Sequence, residues 1–259
     1  MLHPRVLPAV MTLALVGAGC LPAWAQLSRT AELYVIHGLP GDELDDPSES
    51  IDFPNNLPVD ILIGLNGTGT LNLYYTNVHL GEVRGPLALT TGTYTLQVRQ
   101  ANLTTPGTGT IYVSGTLAVR SGESHSSLIH ITTTGLPRVT DYLNDNARVG
   151  LTSARVTFRH GSRNGPVDMS LVSTLGLPGV AVNNLSNPQQ SAAITTSTGP
   201  YTLSVKPAGQ ATTLLPPSAV FLAPKNAYFF YLVGSTTRGT LRVITHNYPP
   251  LSVTLPPIP

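Results

Sequence analysis

The chain says nearly the same thing twice, and that duplication constrains its fold more than any other feature. Ala31 to Gly38 (AELYVIHG) is echoed by Ala154 to Gly161 (ARVTFRHG), Pro58-Val59-Asp60 by Pro166-Val167-Asp168, and Gly92 to Arg99 (GTYTLQVR) by Gly199 to Lys206 (GPYTLSVK). A period this long means two copies of one domain rather than a solenoid of short repeats. Matched positions then show which residues the unit keeps: strand pattern, turn residues and one His/Asp pair.

Within each unit the apolar period is two. Ala31, Leu33, Val35 and His37 share one face of their segment, and Ala154, Val156, Phe158 and His160 share the matching face, with Arg155, Thr157 and Arg159 opposite. That alternation is the mark of a half-buried strand. Val59, Ile61, Ile63 and Leu65 follow the first Pro-Val-Asp; Val167, Met169 and Leu171 follow the second. Tyr94, Leu96 and Val98 answer to Tyr201, Leu203 and Val205, each set entered through a Gly-containing turn. Leu117–Val119 with Ser126–Thr132, and Val220–Leu222 with Tyr228–Ser235, close the two units. No segment carries a helical period with caps. With 24 Gly, 23 Pro and only 10% charged residues, the composition is that of an all-β chain rich in turns. The expected fold is all-β: two tandem antiparallel β-sandwich (immunoglobulin-like) domains.

The N-terminus reads as an export leader. One positive charge, Arg5, precedes the mostly apolar run Ala9–Leu21, and Ala23-Trp24-Ala25 is the small-x-small pattern of signal-peptidase cleavage. The expected organisation is a signal peptide over 1–25, sandwich copy one over 26–148, copy two over 149–248, and a Pro-rich tail over 249–259. A lipid anchor through Cys20 is disfavoured, because the preceding Gly17-Ala18-Gly19 lacks the Leu usual three places before a lipidated cysteine. No stretch has the roughly 20 apolar residues of a spanning helix, so the protein is expected to be exported, to periplasm, cell surface or medium, and not membrane-spanning.

The copies differ in charge and in one loop. From Gln26 to Val149 six arginines stand against twelve acids; from Gly150 onward seven basic residues stand against Asp168 alone. Such a dipolar chain could dock its own halves or associate head to tail with a second molecule. The basic half has no clustered stripe, which argues against nucleic-acid binding. His37 and Asp60 lie 23 positions apart, His160 and Asp168 only 8, so copy one carries 15 additional residues, expected to form a surface loop over 41–56. Asp42, Glu43, Asp45, Asp46, Glu49 and Asp52 make it acidic and a candidate docking loop. It lacks the ligand periodicity of a calcium loop, and no metal or cofactor is expected.

The order strand, His-Gly, Pro-Val-Asp, Gly-x-Tyr-Thr-x-x-Val-[Arg/Lys] resembles the bacterial domain-of-unknown-function family 4397. The match is better in copy two, through His160, Pro166-Val167-Asp168 and Tyr201 to Gly209; copy one departs by its acidic insert and by Gln100-Ala101-Asn102 in place of Pro207-Ala208-Gly209. The resemblance implies tandem β-sandwiches at the cell envelope and no established activity.

Two constellations could carry chemistry. A carboxylate beside an imidazole fixes its tautomer and raises its basicity, as in hydrolytic triads, so His37 with Asp60 and His160 with Asp168 are candidates. However, Ser162 has Leu39 as its counterpart, and no nucleophile elbow or metal-binding motif is present. A structural role for both pairs is therefore favoured, the His serving loop backbone and the Asp organising the turn after Pro. Tyr74 and Tyr75 could face a ligand such as a sugar. The function expected is a non-enzymatic structural or protein-interaction module of the cell envelope. A polysaccharide-binding module is the alternative and a hydrolase a remote one. The partner is an unidentified protein or polysaccharide of the envelope.

Overall fold

The computed structural model describes residues 30–44, 53–145, 147 and 149–248. The leader with Cys20, the acidic positions Asp45, Asp46, Glu49 and Asp52, and the tail 249–259 lie outside them.

Sixteen strands form four four-stranded sheets among the described residues. The first half contributes β1 (Ala31–His37), β2 (Val59–Leu65), β3 (Asn72–Val78), β4 (Val83–Leu89), β5 (Gly92–Gln100), β6 (Ile111–Val119), β7 (Ser124–Ile131) and β8 (Pro137–Leu143). The second contributes β9 (Ser153–Ser162), β10 (Val167–Ser173), β11 (Val180–Leu185), β12 (Ile194–Ser197), β13 (Gly199–Pro207), β14 (Ser218–Leu222), β15 (Ala227–Gly234) and β16 (Arg242–Tyr248). Sheet orders are β4-β1-β7-β8 with β3-β2-β5-β6, and β12-β9-β15-β16 with β11-β10-β13-β14. Adding eight to every strand of the first half reproduces the second, so both halves are the same β-sandwich. One departure from pure antiparallel pairing occurs in each: β1 runs parallel to β7, and β9 to β15. The long excursion between those paired strands passes through the opposite sheet, and so the two can run the same way.

The repeated motifs sit at equivalent structural points. Tyr94 and Tyr201 are buried in their own cores. Each hydroxyl donates to a carbonyl four residues upstream, Tyr94 to Thr90 (3.0 Å) and Tyr201 to Ser197 (2.9 Å). This corner bond ties the end of one sheet to the start of the next, β4 to β5 and β12 to β13. Around the tyrosines, Leu33, Val35, Ile61, Ile63, Leu96 and Ile129 fill the first core, and Val156, Phe158, Met169, Leu203, Phe230 and Leu232 the second.

A third core joins the sandwiches. Tyr34, Ile36, Leu128 and Tyr142 pack against Phe229, Tyr231, Val233, Ile244 and Tyr248, so the sheet containing β1 lies face to face on the sheet containing β9. The molecule has four layers with the β2 and β10 sheets outermost. The Arg159 face of β9, read from sequence as the solvent side, is buried for this reason. Contacts across the junction are reciprocal: a Cβ at Gly38 would meet Val233 at 2.6 Å, and one at Gly161 would meet Leu128 at 2.6 Å and His130 at 3.1 Å. In the parallel registers His130 and Val233 are equivalent positions. The Gly of each His-Gly motif thus lets the opposite sheet approach, in the self-complementary manner of a two-fold interface.

Candidate functional site

Both copies place the His and Asp in the same surroundings. His37 Nε2 donates to Leu57 O (2.8 Å), and His160 Nε2 to Gly165 O (3.0 Å), in each case the carbonyl just before the Pro of Pro-Val-Asp. Nδ1 accepts a backbone N–H two residues on, from Leu39 (3.4 Å) and Ser162 (3.2 Å). Both rings are fully buried. Burial pushes His37 down to about 4 and lowers His160 as well, so each is a neutral ring at pH 7 with both nitrogens engaged.

Asp60 and Asp168 face other partners. Asp60 is buried and accepts three backbone N–H groups, from Asn77 (3.0 Å), Asn102 (3.3 Å) and Gly107 (2.7 Å). Asp168 accepts from Asn184 (2.8 Å) and Gly209 (2.9 Å), which hold its carboxyl below the usual range. Asn77 and Asn184 have positive φ, 51° and 56°, and each sits where the β2–β3 or β10–β11 register shifts. The carboxylate therefore pins a bulge on one side and the β5–β6 or β13–β14 loop on the other. Asp60→Ala would orphan three amide donors and is expected to cost about 3 kcal/mol in urea unfolding. Asp168→Ala should cost less, because water reaches its site; equal losses would contradict this account.

Ser162, the one candidate nucleophile beside His160, is fully buried with its Oγ unpartnered. The tyrosines separate by face: Tyr75 packs on the first core, while Tyr74 is 41% exposed. A single open ring remains, not a two-ring platform.

The acidic insert begins with a short 3-10 turn, Gly41–Glu43. Its start departs from the expected surface loop: Glu43 is buried against the second sandwich. Its Oε1 accepts from the Ser235 hydroxyl and from Thr240 Oγ1 (2.7 Å), and Oε2 lies 3.6 Å from Arg163 Nη1. Glu43, the second acid of the loop, therefore docks within its own molecule.

Two clusters were not singled out by sequence reasoning. Arg159 is 0% exposed at the sandwich junction. It donates to Tyr231 Oη (2.7 Å), Asn144 Oδ1 (2.9 Å), Gln190 Oε1 (3.1 Å) and Leu143 O (3.4 Å). Its guanidinium also lies over the rings of Phe229 (4.5 Å), Tyr142 (4.7 Å) and Tyr231 (5.2 Å). Its counterpart in copy one is Ile36, and that mismatch beside a retained His was the available signal. The second cluster is His125, held between Asp141 Oδ2 (2.8 Å) and Glu123 Oε2 (3.1 Å). Burial alone would lower its affinity for protons, but the two carboxylates outweigh it and raise it above the ordinary value.

Residues 52–170 match the family described as "Domain of unknown function (DUF4397)". That is the family whose motifs the sequence resembles, matched here over a little less than half of the chain. The matched stretch runs from just ahead of β2 in the first sandwich into β10 of the second, about one repeat in length but straddling the junction. No curated protein matches the chain significantly. Among solved structures, the Bacillus anthracis TIE protein is similar at 10% identity and a TM-score of 0.23, over 80% of this chain. The chain spans only about a third (33%) of that protein's length. The fimbrial anchor protein Mfa2 from Porphyromonas gingivalis is similar at 7% identity and a TM-score of 0.23, over 85% of this chain and 96% of that one. No helix among the described residues is long and apolar enough to cross a membrane.

Proposed function

We propose that the chain is an exported, non-enzymatic structural or interaction module of the cell envelope, working as one stiff four-layered block. The observation that carries this reading is the third apolar core, with Arg159 and Glu43 buried at the same junction. A two-domain chain that spends a core on fixing its halves together presents its outer sheets and loops at a set spacing. Relative domain motion is the default only where the interface is small or polar. The occupied hydrogen bonds of both histidines and both repeated aspartates support a structural role for these pairs. The burial of Ser162 weighs against a hydrolase centred on His160.

Fractionation of cells expressing the tagged full chain should place it with the envelope or medium; accumulation in the cytoplasm would refute the export half of the proposal. Retention of the purified protein on envelope polysaccharide, surviving high salt and lost in Tyr74→Ala, would instead favour the polysaccharide-binding alternative.

A further inference from the structure

The two outermost faces of the block are equivalent in fold and opposite in relief. On the β10 sheet, Val172, Leu175 and Phe221 are 58%, 67% and 66% exposed. They form one patch: Val172 faces Thr202 and Phe221 faces Pro200 across neighbouring strand pairs, and Leu175 reaches to Gly199. The matching registers of the first sandwich put Gly64 in the place of Val172, Gly67 in that of Leu175, Thr93 in that of Pro200 and Ala118 in that of Phe221. The fold does not require apolar bulk at these positions, since copy one dispenses with it. A hollow of about 240 Å³ opens at the β2–β3 hairpin, lined by Leu65, Gly67, Gly69, Leu71 and Thr95 and floored by Gly64, whose Cβ position is covered by Thr70 O. At Gly67 and Gly69 nothing stands within 4 Å of where a Cβ would be.

We infer that the chain self-associates head to tail, the Val172–Leu175–Phe221 patch of one molecule seating on the Gly64–Gly67 hollow of the next. The occupant is a second copy for two reasons. Knob and hole occupy the same place in the repeat, on faces that point in opposite directions across the four layers. The half bearing the hole carries six basic against twelve acidic residues and the half bearing the knob seven against one, so the long-range field aligns molecules in that order. An exposed apolar cluster of this kind marks an interaction surface. Because the two surfaces differ, the contact is heterologous and propagates into an open chain instead of closing as a dimer. This deepens the proposed function by naming a partner, yet assembly of purified protein is read independently of export, so either can fail alone.

The test is sedimentation equilibrium of the purified protein over a wide concentration range. The weight-average mass should rise past the dimer without a plateau, and added salt should weaken the rise. Phe221→Asp and Thr95→Arg should each give monomers with unchanged thermal midpoints, and an equimolar mixture of the two should form one-to-one dimers and nothing larger, because each retains one competent face. If Thr95→Arg disturbs folding, Ala118→Arg on the exposed side of β6 replaces it. A monomeric wild type, a plateau at the dimer, or a Thr95→Arg protein that still assembles while Phe221→Asp does not would each overturn the proposal. The last result would mean the copy-two patch pairs with itself.

Discussion

Arg159→Ala is expected to lower the free energy of unfolding by about 3 kcal/mol, the order of cost when a large buried side chain is removed and its buried polar partners lose their donor. The side chain is wholly enclosed and four neutral acceptors converge on its guanidinium, so truncation leaves Asn144 Oδ1 and the Tyr231 hydroxyl facing a void. Three aromatic rings lose the cation they face, and desolvated cation–π contacts are the stronger ones. Arg159→Lys should recover little, because an ammonium keeps the charge without the planar fork that reaches acceptors on both sandwiches. Arg159→Met should recover more, since it refills the volume and buries no charge. Chemical denaturation of the three variants measures the order directly. Lysine outperforming methionine would show that charge alone matters at this junction.

Acid is expected to destabilise the protein well above the range in which carboxylates protonate. Burial lowers His37, His130 and His246 each to about 4, whereas an unfolded chain binds these protons near the ordinary histidine value. Between those limits the unfolded state holds more protons than the folded one, so stability falls as pH drops from about 6.5 to about 4. Each ring contributes on the order of 3 kcal/mol to that fall. His125 acts with the opposite sign. Its raised affinity, held by Asp141 and Glu123, gives stability that is complete below the unfolded value and lost as pH rises through the folded one. A stability maximum near neutrality follows. Urea midpoints measured from pH 8 to pH 4 should fall steeply on the acid side, and His37→Gln should flatten that limb; an acid limb unchanged in this variant would remove His37 from the account.

Strands inside the sheets were legible in the sequence, while of the edge strands only the ends of β6 and β14, Leu117–Val119 and Val220–Leu222, were. β1, β2, β5 and β7, with their counterparts β9, β10, β13 and β15, lie inside their sheets and announced themselves by apolar alternation. The strands not read from sequence, β3, β4 and β8 with β11, β12 and β16, are all sheet edges. An edge strand is covered on fewer sides, tolerates bulges such as those at Asn77 and Asn184, and need not alternate cleanly. Asn72–Val78, with its run of polar and aromatic residues, illustrates why periodicity fails there.

Sequence alone determined the β class, the duplication and the kept points of each unit: the His-Gly turn, the Asp after Pro-Val and the corner tyrosine. The corner tyrosine serves backbone four residues away and leaves a local signature, whereas the Asp also reaches loop amides more than 40 residues away and was legible only because the repeat keeps it. Only the tertiary structure decided that the polar-looking side of β9 is interior, that Glu43 closes on Ser235 and Thr240, and that the outer faces differ in relief. Burial of that kind is conferred by a second surface that no window of sequence contains. The same alternating strand is half-solvated in one sandwich standing alone and wholly enclosed once its twin lies against it.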